Sequence, residues 1–208
     1  MNTKINAIIP AGGTSSRFGN TNKLMEKIKD KEVIKYTIEA FENSNIDEII
    51  ICANISIMDE LKRIFAESKK VKIIEGGQTR QASVYNGIKA SECDYVLIHD
   101  GARPMITTDL INSAIDMVKD KKALTVATKT IDTIKEVVDG KIIRTIDRSK
   151  LYNTQTPQAF EYSLIKSAHE KLIGQNFTDD AGMLEELGVD VYILNGSYKN
   201  IKITTQND

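Results

Sequence analysis

Short runs of apolar, mostly β-branched residues alternate along this chain with segments of helical period. The runs are Ala7–Ile9, Ile49–Ala53, Lys72–Ile74, Tyr95–Ile98, Ala123–Ala127 and Val191–Leu194. Between them, Ile57, Leu61, Ile64 and Phe65 fall on one helical stripe, as do Leu110, Ala114, Ile115 and Val118. This alternation is typical of parallel strands joined by crossover helices. Because the runs are apolar at consecutive positions, the pattern predicts an α/β fold with a doubly wound, mainly parallel sheet.

Length and charge narrow the possible organisation and partners. The chain has 208 residues, with 28 Lys and Arg against 29 Asp and Glu, for a formal net charge of −1. This length suits a single domain over residues 1–208, and no linker, repeat or low-complexity stretch marks a second one. The balanced charge gives no overall reason to expect nucleic acid or a charged membrane as a partner. No apolar run approaches the roughly 20 residues that span a bilayer.

Cysteine usage points to a compartment. Cys52 and Cys93 are the two cysteines of the chain, and each lies beside apolar residues. We expect two buried free thiols rather than a disulfide, and therefore a reducing compartment, the cytoplasm.

One segment departs from the α/β alternation. Val137-Val138 and Ile142-Ile143 lie in two β-prone runs joined by Asp139-Gly140, a strong signal for a tight hairpin. An isolated hairpin with exposed aliphatic side chains is marginal in water. The sequence therefore predicts a hairpin arm at about residues 131–148 that packs on a second subunit, with a hairpin folded back on its own domain as the alternative.

A loop of small residues follows the first predicted strand. It reads Pro10-Ala11-Gly12-Gly13-Thr14-Ser15-Ser16-Arg17, and Lys23 follows shortly after. Ligands of open α/β sheets bind beyond the carboxyl ends of the strands, where small residues let backbone N–H groups approach phosphates. The loop matches neither the P-loop nor the Gly-x-Gly-x-x-Gly dinucleotide fingerprint. Two cations beside it favour a triphosphate ligand, and an ordinary tight turn is the simpler alternative.

Two further clusters follow later strands. Gly76-Gly77, with Thr79 to Ser83 behind it, is a weak signal because Gly-Gly turns are common and Thr79 can cap a helix. His99-Asp100-Gly101-Ala102-Arg103 closes the fourth strand, where an Asp can hold a ribose hydroxyl or Mg²⁺. We expect His99 to be a structural partner, since no nucleophile accompanies it, and no Cys or His spacing suits zinc.

Taken together, these clusters resemble those of the cytidylyltransferases that activate sugar-alcohol phosphates. Further matching segments are Asp132-Thr133-Ile134-Lys135, Asp147-Arg148, Thr154-Gln155-Thr156-Pro157-Gln158, Thr178-Asp179-Asp180-Ala181 and Asn200-Ile201-Lys202-Ile203-Thr204. The resemblance spans the whole chain and implies a Rossmann-like fold of the nucleotide-diphospho-sugar transferase type. It also implies transfer of CMP from CTP to 2-C-methyl-D-erythritol 4-phosphate, in non-mevalonate isoprenoid biosynthesis, with the substrate phosphate as nucleophile.

The resemblance also implies roles for individual residues. The implied catalytic cations are Arg17 and Lys23 on the triphosphate, with Lys27 as an alternative to Lys23, and Arg148 and Lys202 on the sugar phosphate. The implied nucleotide contacts are Ala11, Gly12, Gly13, Gly77, Ser83 and Asp100, and the further contacts to the second substrate are Arg103, Thr133 and Thr156. Asp100 would also lie at a Mg²⁺ ion that accompanies CTP. In the implied homodimer, the arm carries Thr133 and Arg148 into the neighbouring subunit's site.

Two other functions remain open at the level of sequence. Ribitol 5-phosphate cytidylyltransferases of teichoic acid synthesis share the fold and most of the phosphate contacts. Thr178-Asp179-Asp180-Ala181, followed by Leu184, Glu185 and Gly188, favours methylerythritol phosphate, although the same segment is also an ordinary helix start. A catalytically silent nucleotide-binding module is the third possibility, and the retention of every cation that the transfer needs argues against it.

Overall fold

A seven-stranded sheet lies at the centre of the computed structural model, which describes residues 3–13, 18 and 22–208. Along the chain the elements are β1 (Ile5–Ala11), β2 (Lys27–Ile28), β3 (Lys31–Glu32), α1 (Val33–Glu42), β4 (Glu48–Ala53), α2 (Ile55–Ile64), β5 (Val71–Glu75), α3 (Arg80–Lys89), β6 (Tyr95–Ile98), α4 (Thr108–Lys121), β7 (Ala123–Lys129), β8 (Ile134–Val138), β9 (Lys141–Ile146), β10 (Tyr152–Glu161), α5 (Tyr162–Lys171), α6 (Asp180–Glu186) and β11 (Tyr192–Asn195). A 3-10 turn, Arg148–Lys150, precedes β10.

The order of strands in the large sheet is β11-β7-β10-β6-β1-β4-β5. The pairs β1 with β4, β1 with β6, β4 with β5 and β11 with β7 are parallel, whereas β10 is antiparallel to both of its neighbours. The predicted mainly parallel sheet is thus confirmed. The parallel strands share a carboxyl edge, and the loops after β1, β5 and β6 all begin there.

Both faces of the sheet are covered by helices. Ile49 and Ile51 of β4 face a core built with α1, α2 and α4, while Ile50 and Cys52 face a second core built with α3, α5 and α6. Successive side chains of a strand point to opposite faces, so consecutive burial requires a layer on each side. The doubly wound arrangement predicted from the consecutive apolar runs is confirmed.

The six predicted strands are confirmed, most of them extended by one or two residues at an end. The sequence reasoning missed β10, which is central in the sheet yet carries polar residues over Asn153–Gln158. Its pairing with β7 is irregular between Thr154 and Gln158, where Pro157 has no N–H to give to the ladder. This bulge places Gln155 and Thr156, both buried, beside the end of β6.

The predicted arm is a two-stranded hairpin, β8 with β9, separate from the large sheet. Asp139 and Gly140 have φ values of 50° and 76°, the two positive angles that a type I′ turn requires. Val137, Val138, Ile142 and Ile143 are 52%, 54%, 64% and 59% exposed. The hairpin therefore presents its aliphatic side chains to the outside of the subunit rather than folding back on it.

The two cysteines are free thiols, as expected. Cys52 is buried, and burial raises the pKa of its thiol to about 12, whereas Cys93 is only partly buried. Within residues 3–13, 18 and 22–208, none of the helices combines the length and apolar character that crossing a bilayer would demand.

Candidate active site

Glycines let the loops after β1 and β5 pack closely against each other and against the start of α3. A Cβ atom on Gly12, just after β1, would lie 2.6 Å from the Ser83 Oγ of α3. On Gly77, in the loop after β5, it would lie 2.4 Å from the Cβ of Ala82. Neither position tolerates a side chain without a shift of its neighbours. Asn54 ties the first loop down further by donating its side-chain amide to the Gly12 carbonyl at 3.0 Å.

Ser83 links the second loop to helix α3. Its hydroxyl accepts the Gly77 N–H at 2.9 Å and lies 2.9 Å from the Thr79 carbonyl, to which it donates. Thr79 in turn caps the helix, its hydroxyl accepting the Ala82 N–H at 3.0 Å. Ala11 is buried at the end of β1, while a Cβ built on Gly13 would meet no atom within 4 Å among the described residues other than its chain neighbours. Four of the predicted nucleotide contacts, Ala11, Gly12, Gly77 and Ser83, thus form one narrow backbone surface with Gly13 at its open rim.

Asp100, at the end of β6, forms ion pairs with basic side chains from three segments. Its Oδ1 lies 3.0 Å from the Arg80 Nε, and its Oδ2 lies 2.7 Å from the Lys202 Nζ and 3.7 Å from the Arg103 Nε. Asp100 itself is 7% exposed. A second carboxylate, that of Asp180, lies 2.8 Å from the Arg80 Nη1. We call these five residues the Asp100 cluster. It carries three basic groups against two acidic ones, which leaves an excess of positive charge at the sheet edge.

Asp100 and Arg80, at the centre of the Asp100 cluster, stabilise each other's charge. Burial alone would raise the pKa of Asp100, but the Arg80 and Lys202 cations outweigh burial and hold that pKa well below its ordinary value. Burial would lower the pKa of Arg80, but Asp180 and Asp100 outweigh it and raise the pKa above its usual range. Both groups therefore remain charged throughout the physiological pH range.

The C-terminal segment is bound to the loop after β6. Arg103 donates through Nη1 to the Asn200 carbonyl at 2.8 Å, and the Ile203 N–H donates to the Ala102 carbonyl at 2.9 Å. The Lys23 ammonium donates to the Ile203 carbonyl at 2.6 Å. These contacts bring Lys23 to the segment that carries Lys202, so that two predicted catalytic cations lie at one edge.

A buried hydrogen-bond chain supports Asp100 from behind. The Asp100 N–H donates to the Thr156 hydroxyl at 3.1 Å, and that hydroxyl lies 3.0 Å from His99 Nδ1. His99 Nε2 lies 3.4 Å from the Arg103 carbonyl, which can only accept, so Nε2 carries the proton and Nδ1 accepts from Thr156. Burial lowers the pKa of His99 to about 4 and keeps the ring neutral. His99 has the structural surroundings expected for it, and Thr156 supports the loop.

The remaining predicted site residues lie elsewhere. Thr133 and Arg148 are exposed at the base of the arm, where the Arg148 guanidinium donates to the Ile131 carbonyl. Lys27, the alternative cation, lies on β2 with its Nζ 3.8 Å from the Glu32 carboxylate. Arg17 lies outside the described residues. Within one subunit the structure therefore brings together Lys23, Lys202, Arg103, Thr156 and Asp100, with the nucleotide loops beside them.

The sequence places Arg80 among the cations expected at one end of the sheet, but sequence reasoning assigned no individual contact to Arg80 or Asp180, although both belong to the Asp100 cluster. Arg80 begins α3 three residues after Gly77, and Asp180 begins α6 within Thr178-Asp179-Asp180-Ala181. A basic residue next to a glycine turn at a strand end was the available signal for Arg80. The segment Thr178-Asp179-Asp180-Ala181 was singled out as a whole, but nothing in it distinguished Asp180 from an ordinary acidic first turn of a helix.

The sheet order and the cationic carboxyl edge place the molecule among the α/β nucleotidyltransferases. A family model described as IspD: 2-C-methyl-D-erythritol 4-phosphate cytidylyltransferase matches residues 5–208. The chain belongs to this family.

Named relatives agree over nearly the full chain. The 2-C-methyl-D-erythritol 4-phosphate cytidylyltransferase of Clostridioides difficile is 44% identical over 97% of this chain and 89% of its own length. That of Lachnoclostridium phytofermentans is 42% identical over 99% of this chain and 93% of its own. The crystal structure of 4-diphosphocytidyl-2C-methyl-D-erythritol synthase from Anaerococcus prevotii superposes with a TM-score of 0.89 at 33% identity, covering 99% of this chain and 92% of that one.

Proposed function

We propose that this protein transfers CMP from CTP to 2-C-methyl-D-erythritol 4-phosphate, forming 4-diphosphocytidyl-2-C-methyl-D-erythritol and pyrophosphate. The observation that carries the proposal is the Asp100 cluster, whose excess positive charge lies beside the narrow Gly12 and Gly77 loops. An oxygen of the substrate phosphate attacks the α-phosphorus of CTP, and the bond from that phosphorus to the bridging oxygen of pyrophosphate breaks. The protein needs no nucleophile of its own, so it acts by alignment and charge neutralisation.

The cytosine and ribose of CTP are assigned to the backbone surface made by Ala11, Gly12, Gly13, Gly77 and Ser83. Gly12, Gly13 and Gly77 carry no side chains that would cover the backbone of these loops, so a ligand can approach N–H and C=O groups there. The hydrogen bonds of Ser83 to Gly77 and Thr79 make this surface rigid before a ligand arrives. A preorganised polar surface loses less conformational entropy when it binds.

The charges of the triphosphate are assigned to Arg17 and Lys23. Lys23 already lies at the reacting edge, because its ammonium contacts the carbonyl of Ile203, next to Lys202. Negative charge grows on the leaving pyrophosphate in the transition state, and fixed cations stabilise it there. The Lys27 contact with Glu32 makes Lys27 a poorer candidate for this role.

The sugar phosphate is assigned to Lys202 and Arg103 of one subunit, with Arg148 and Thr133 of a second. Lys202 is 37% exposed at its side chain, so its ammonium can reach a bound phosphate while Asp100 keeps it near the site. The arm residues Thr133 and Arg148 are exposed and lie on a hairpin whose apolar side chains are uncovered in one subunit. We therefore propose a homodimer in which each arm completes the other subunit's site. The Thr156 hydroxyl is engaged by Asp100 and His99, so its predicted substrate contact stays a prediction.

Mg²⁺ is proposed to enter with CTP and to lie against Asp100. Within the described residues no three acidic, His or Cys side chains converge on a common point where a metal ion could be held. Mg²⁺ keeps several waters and commonly binds through one or two carboxylates together with substrate phosphates. The single Asp100 carboxylate fits that donor set. When bound, the ion supplies neutralisation of triphosphate charge, while Arg80, Arg103 and Lys202 keep the carboxylate ionised and oriented.

A cytoplasmic location is proposed on two grounds. The buried Cys52 and partly buried Cys93 are free thiols, as proteins of a reducing compartment usually have. Both proposed substrates are small phosphorylated molecules that do not cross membranes unaided.

The test is pyrophosphate release from CTP by the purified chain, with Mg²⁺ and one sugar-alcohol phosphate at a time. We expect release with 2-C-methyl-D-erythritol 4-phosphate and little with ribitol 5-phosphate, with chelation of Mg²⁺ abolishing the signal. Release with ribitol 5-phosphate alone would contradict the proposed acceptor. Release with neither, but binding of CTP, would favour the silent nucleotide-binding module.

A further inference from the structure

Asp180 is a buried carboxylate that lies behind the Asp100 cluster rather than on its outer face. It is 1% exposed, whereas Arg80, its ionic partner, is 29% exposed at the side chain. The Arg80 Nη1 lies 2.8 Å from Asp180 Oδ2, and the Nε of the same guanidinium lies 3.0 Å from Asp100 Oδ1. Arg80 therefore bridges two carboxylates, one at the site and one inside the protein.

His169 does not balance the charge of Asp180. Its Nε2 lies 3.8 Å from Asp180 Oδ1, beyond hydrogen-bond distance, and its ring stacks on Tyr85 at an interplanar angle of 2°. Burial lowers the pKa of His169, so the ring is neutral near pH 7. Arg80 is thus the cation that compensates the buried Asp180 carboxylate.

The position of Asp180 is itself fixed by Gln158 of β10. The Gln158 Oε1 accepts the N–H groups of Asp180 at 3.0 Å and Ala181 at 3.2 Å. Its Nε2 donates to Asp179 at 2.8 Å and to Thr125 at 2.9 Å, and Gln158 is fully buried. The start of α6 is therefore held to the central sheet, and Asp180 is a rigid anchor.

We infer that Asp180 is a positioning residue for the transfer reaction, which holds the Arg80 guanidinium in the orientation that aims its Nε at Asp100. The inference rests on the proposed function, because Asp100 lies at the proposed meeting point of CTP, Mg²⁺ and the sugar phosphate. A guanidinium presents its donors in a fixed plane, so a carboxylate on one side determines the direction of the donors on the other. Asp180 has no contact with substrate in this scheme and acts through Arg80.

The charge of Arg80 and its orientation should therefore affect different steps of the reaction. Without Asp180, the Arg80 side chain keeps its charge but can swing toward the triphosphate, and Asp100 loses the donor on its Oδ1. Ground-state binding of CTP is then preserved or strengthened, while the geometry needed in the transition state is lost. A misplacement of about 1 Å at a reacting group can lower the rate by roughly 10²-fold.

The experiment compares Asp180→Asn, which keeps the shape and removes the charge, with Asp179→Asn as the matched control. Asp179 caps the same helix by accepting the Gly182 N–H, and it bonds Gln158, but the ion pairs of Arg80 are with Asp100 and Asp180. For Asp180→Asn we expect kcat to fall by roughly 10- to 100-fold, as for other partners that orient a site residue, with KM for CTP changed less than threefold. Asp179→Asn should lose stability without a comparable loss of kcat.

A double-mutant cycle with Arg80→Ala tests whether the effect passes through Arg80. We expect the double variant to be no slower than Arg80→Ala alone, and Asp180→Glu to recover part of the lost kcat. Multiplied losses in the double variant would mean that the two residues act independently and would overturn the inference. If Asp180→Asn does not fold, Arg80→Lys decides, since an ammonium cannot hold both carboxylates. A normal kcat for Arg80→Lys then overturns the inference.

The unaltered protein is assayed beside every variant. An inactive unaltered protein overturns the proposed function together with the inference. An active unaltered protein with an equally active Asp180→Asn variant overturns the positioning role alone.

Discussion

The Asp100 cluster and the hairpin arm hold their arginines in opposite ways. In the cluster, Arg80 is 29% exposed at the side chain and lies between two carboxylates that are 10% and 1% exposed. On the arm, Arg144 is 69% exposed and pairs with Glu136, which is 44% exposed. Water screens the arm pair, whereas removal of one partner in the cluster leaves a buried charge uncompensated. The ion pairs of the cluster therefore help to fix its geometry within one subunit, whereas the exposed pair of the arm contributes little.

Apolar residues show the same contrast. Ile111, Ile115 and Val118 of α4 are fully buried against the sheet, while Ile142 and Ile143 of the arm are 64% and 59% exposed. Burial of one such side chain contributes about 1.5–3 kcal/mol. The arm therefore has apolar surface whose burial can stabilise an assembly, which is consistent with the proposed dimer.

The largest effect is expected from Lys202→Ala in the cluster. The change removes the ammonium proposed to hold the sugar phosphate and leaves Asp100 Oδ2 without its nearest cation. We expect kcat/KM for the sugar phosphate to fall by about 10²- to 10³-fold, as when one fixed transition-state donor is removed. Steady-state pyrophosphate release measures it, with the exposed Lys199→Ala as control. Equal losses in both variants would contradict the assignment.

The buried His99 behind the cluster should make stability depend on pH. Its pKa is about 4 in the folded protein against 6.5 as its ordinary value, so the unfolded chain binds more protons between these pH values. Stability should therefore fall by about 3 kcal/mol as the pH drops from 7 to 4. The lowered pKa of His169 acts in the same direction.

Urea unfolding at several pH values measures this dependence. Asp100 does not obscure it, because its lowered pKa gives stability that is lost only below about pH 4, under the window for His99. His99→Gln removes the titrating group and should flatten the dependence, even if it lowers stability at pH 7. An unchanged slope in His99→Gln would show that another group titrates.

Arg148→Ala tests whether the arm acts across subunits. Alone, it should lower activity by about 10²-fold, as the loss of a phosphate-binding cation does. The two variants Arg148→Ala and Lys202→Ala are then mixed and allowed to exchange subunits. About half of the proposed dimers should contain one subunit of each variant, and each of these has one intact site out of two. The mixture should therefore recover about a quarter of the unaltered activity. No recovery, with mixed dimers present, would place Arg148 and Lys202 in the same subunit's site.

The smallest effect is expected from Arg144→Ala on the arm. The exposed pair with Glu136 should contribute less than about 1 kcal/mol to stability, and neither residue is proposed to touch substrate. Thermal unfolding and the pyrophosphate assay measure both properties, with the exposed Lys141→Ala as the matched arm control. A loss of activity as large as that of Arg148→Ala would mean that the arm binds substrate along its length.

Much of the fold was predictable because strands with consecutive apolar residues bury all of them only in a sheet that is covered on both faces. β10 escaped prediction because its stretch Asn153–Gln158 is polar and contains Pro157, which breaks the pattern of a central strand. Asp139-Gly140 predicted the arm because few residues accept two positive φ angles.

The site was predictable in part, since ligands of such sheets gather at the carboxyl ends of the strands. The loops at Gly12, Gly77 and Asp100 follow that rule. The pairing of Arg80 with Asp180 does not follow from any local pattern. It depends on Gln158 fixing the start of α6 beside α3, which only the tertiary packing determines.

The reversed direction of β10 has a topological consequence. β7 ends at the carboxyl edge, and β10 begins there because it runs the other way, so residues 130–151 leave the sheet and return to it at a single edge. A parallel strand in this place would require the chain to cross to the opposite edge first. The arm is thus an excursion from one edge of the sheet. Its length or sequence can be changed without altering the order of the strands. Its reach and its apolar tip are therefore properties that protein engineers can vary separately from the sheet that carries it.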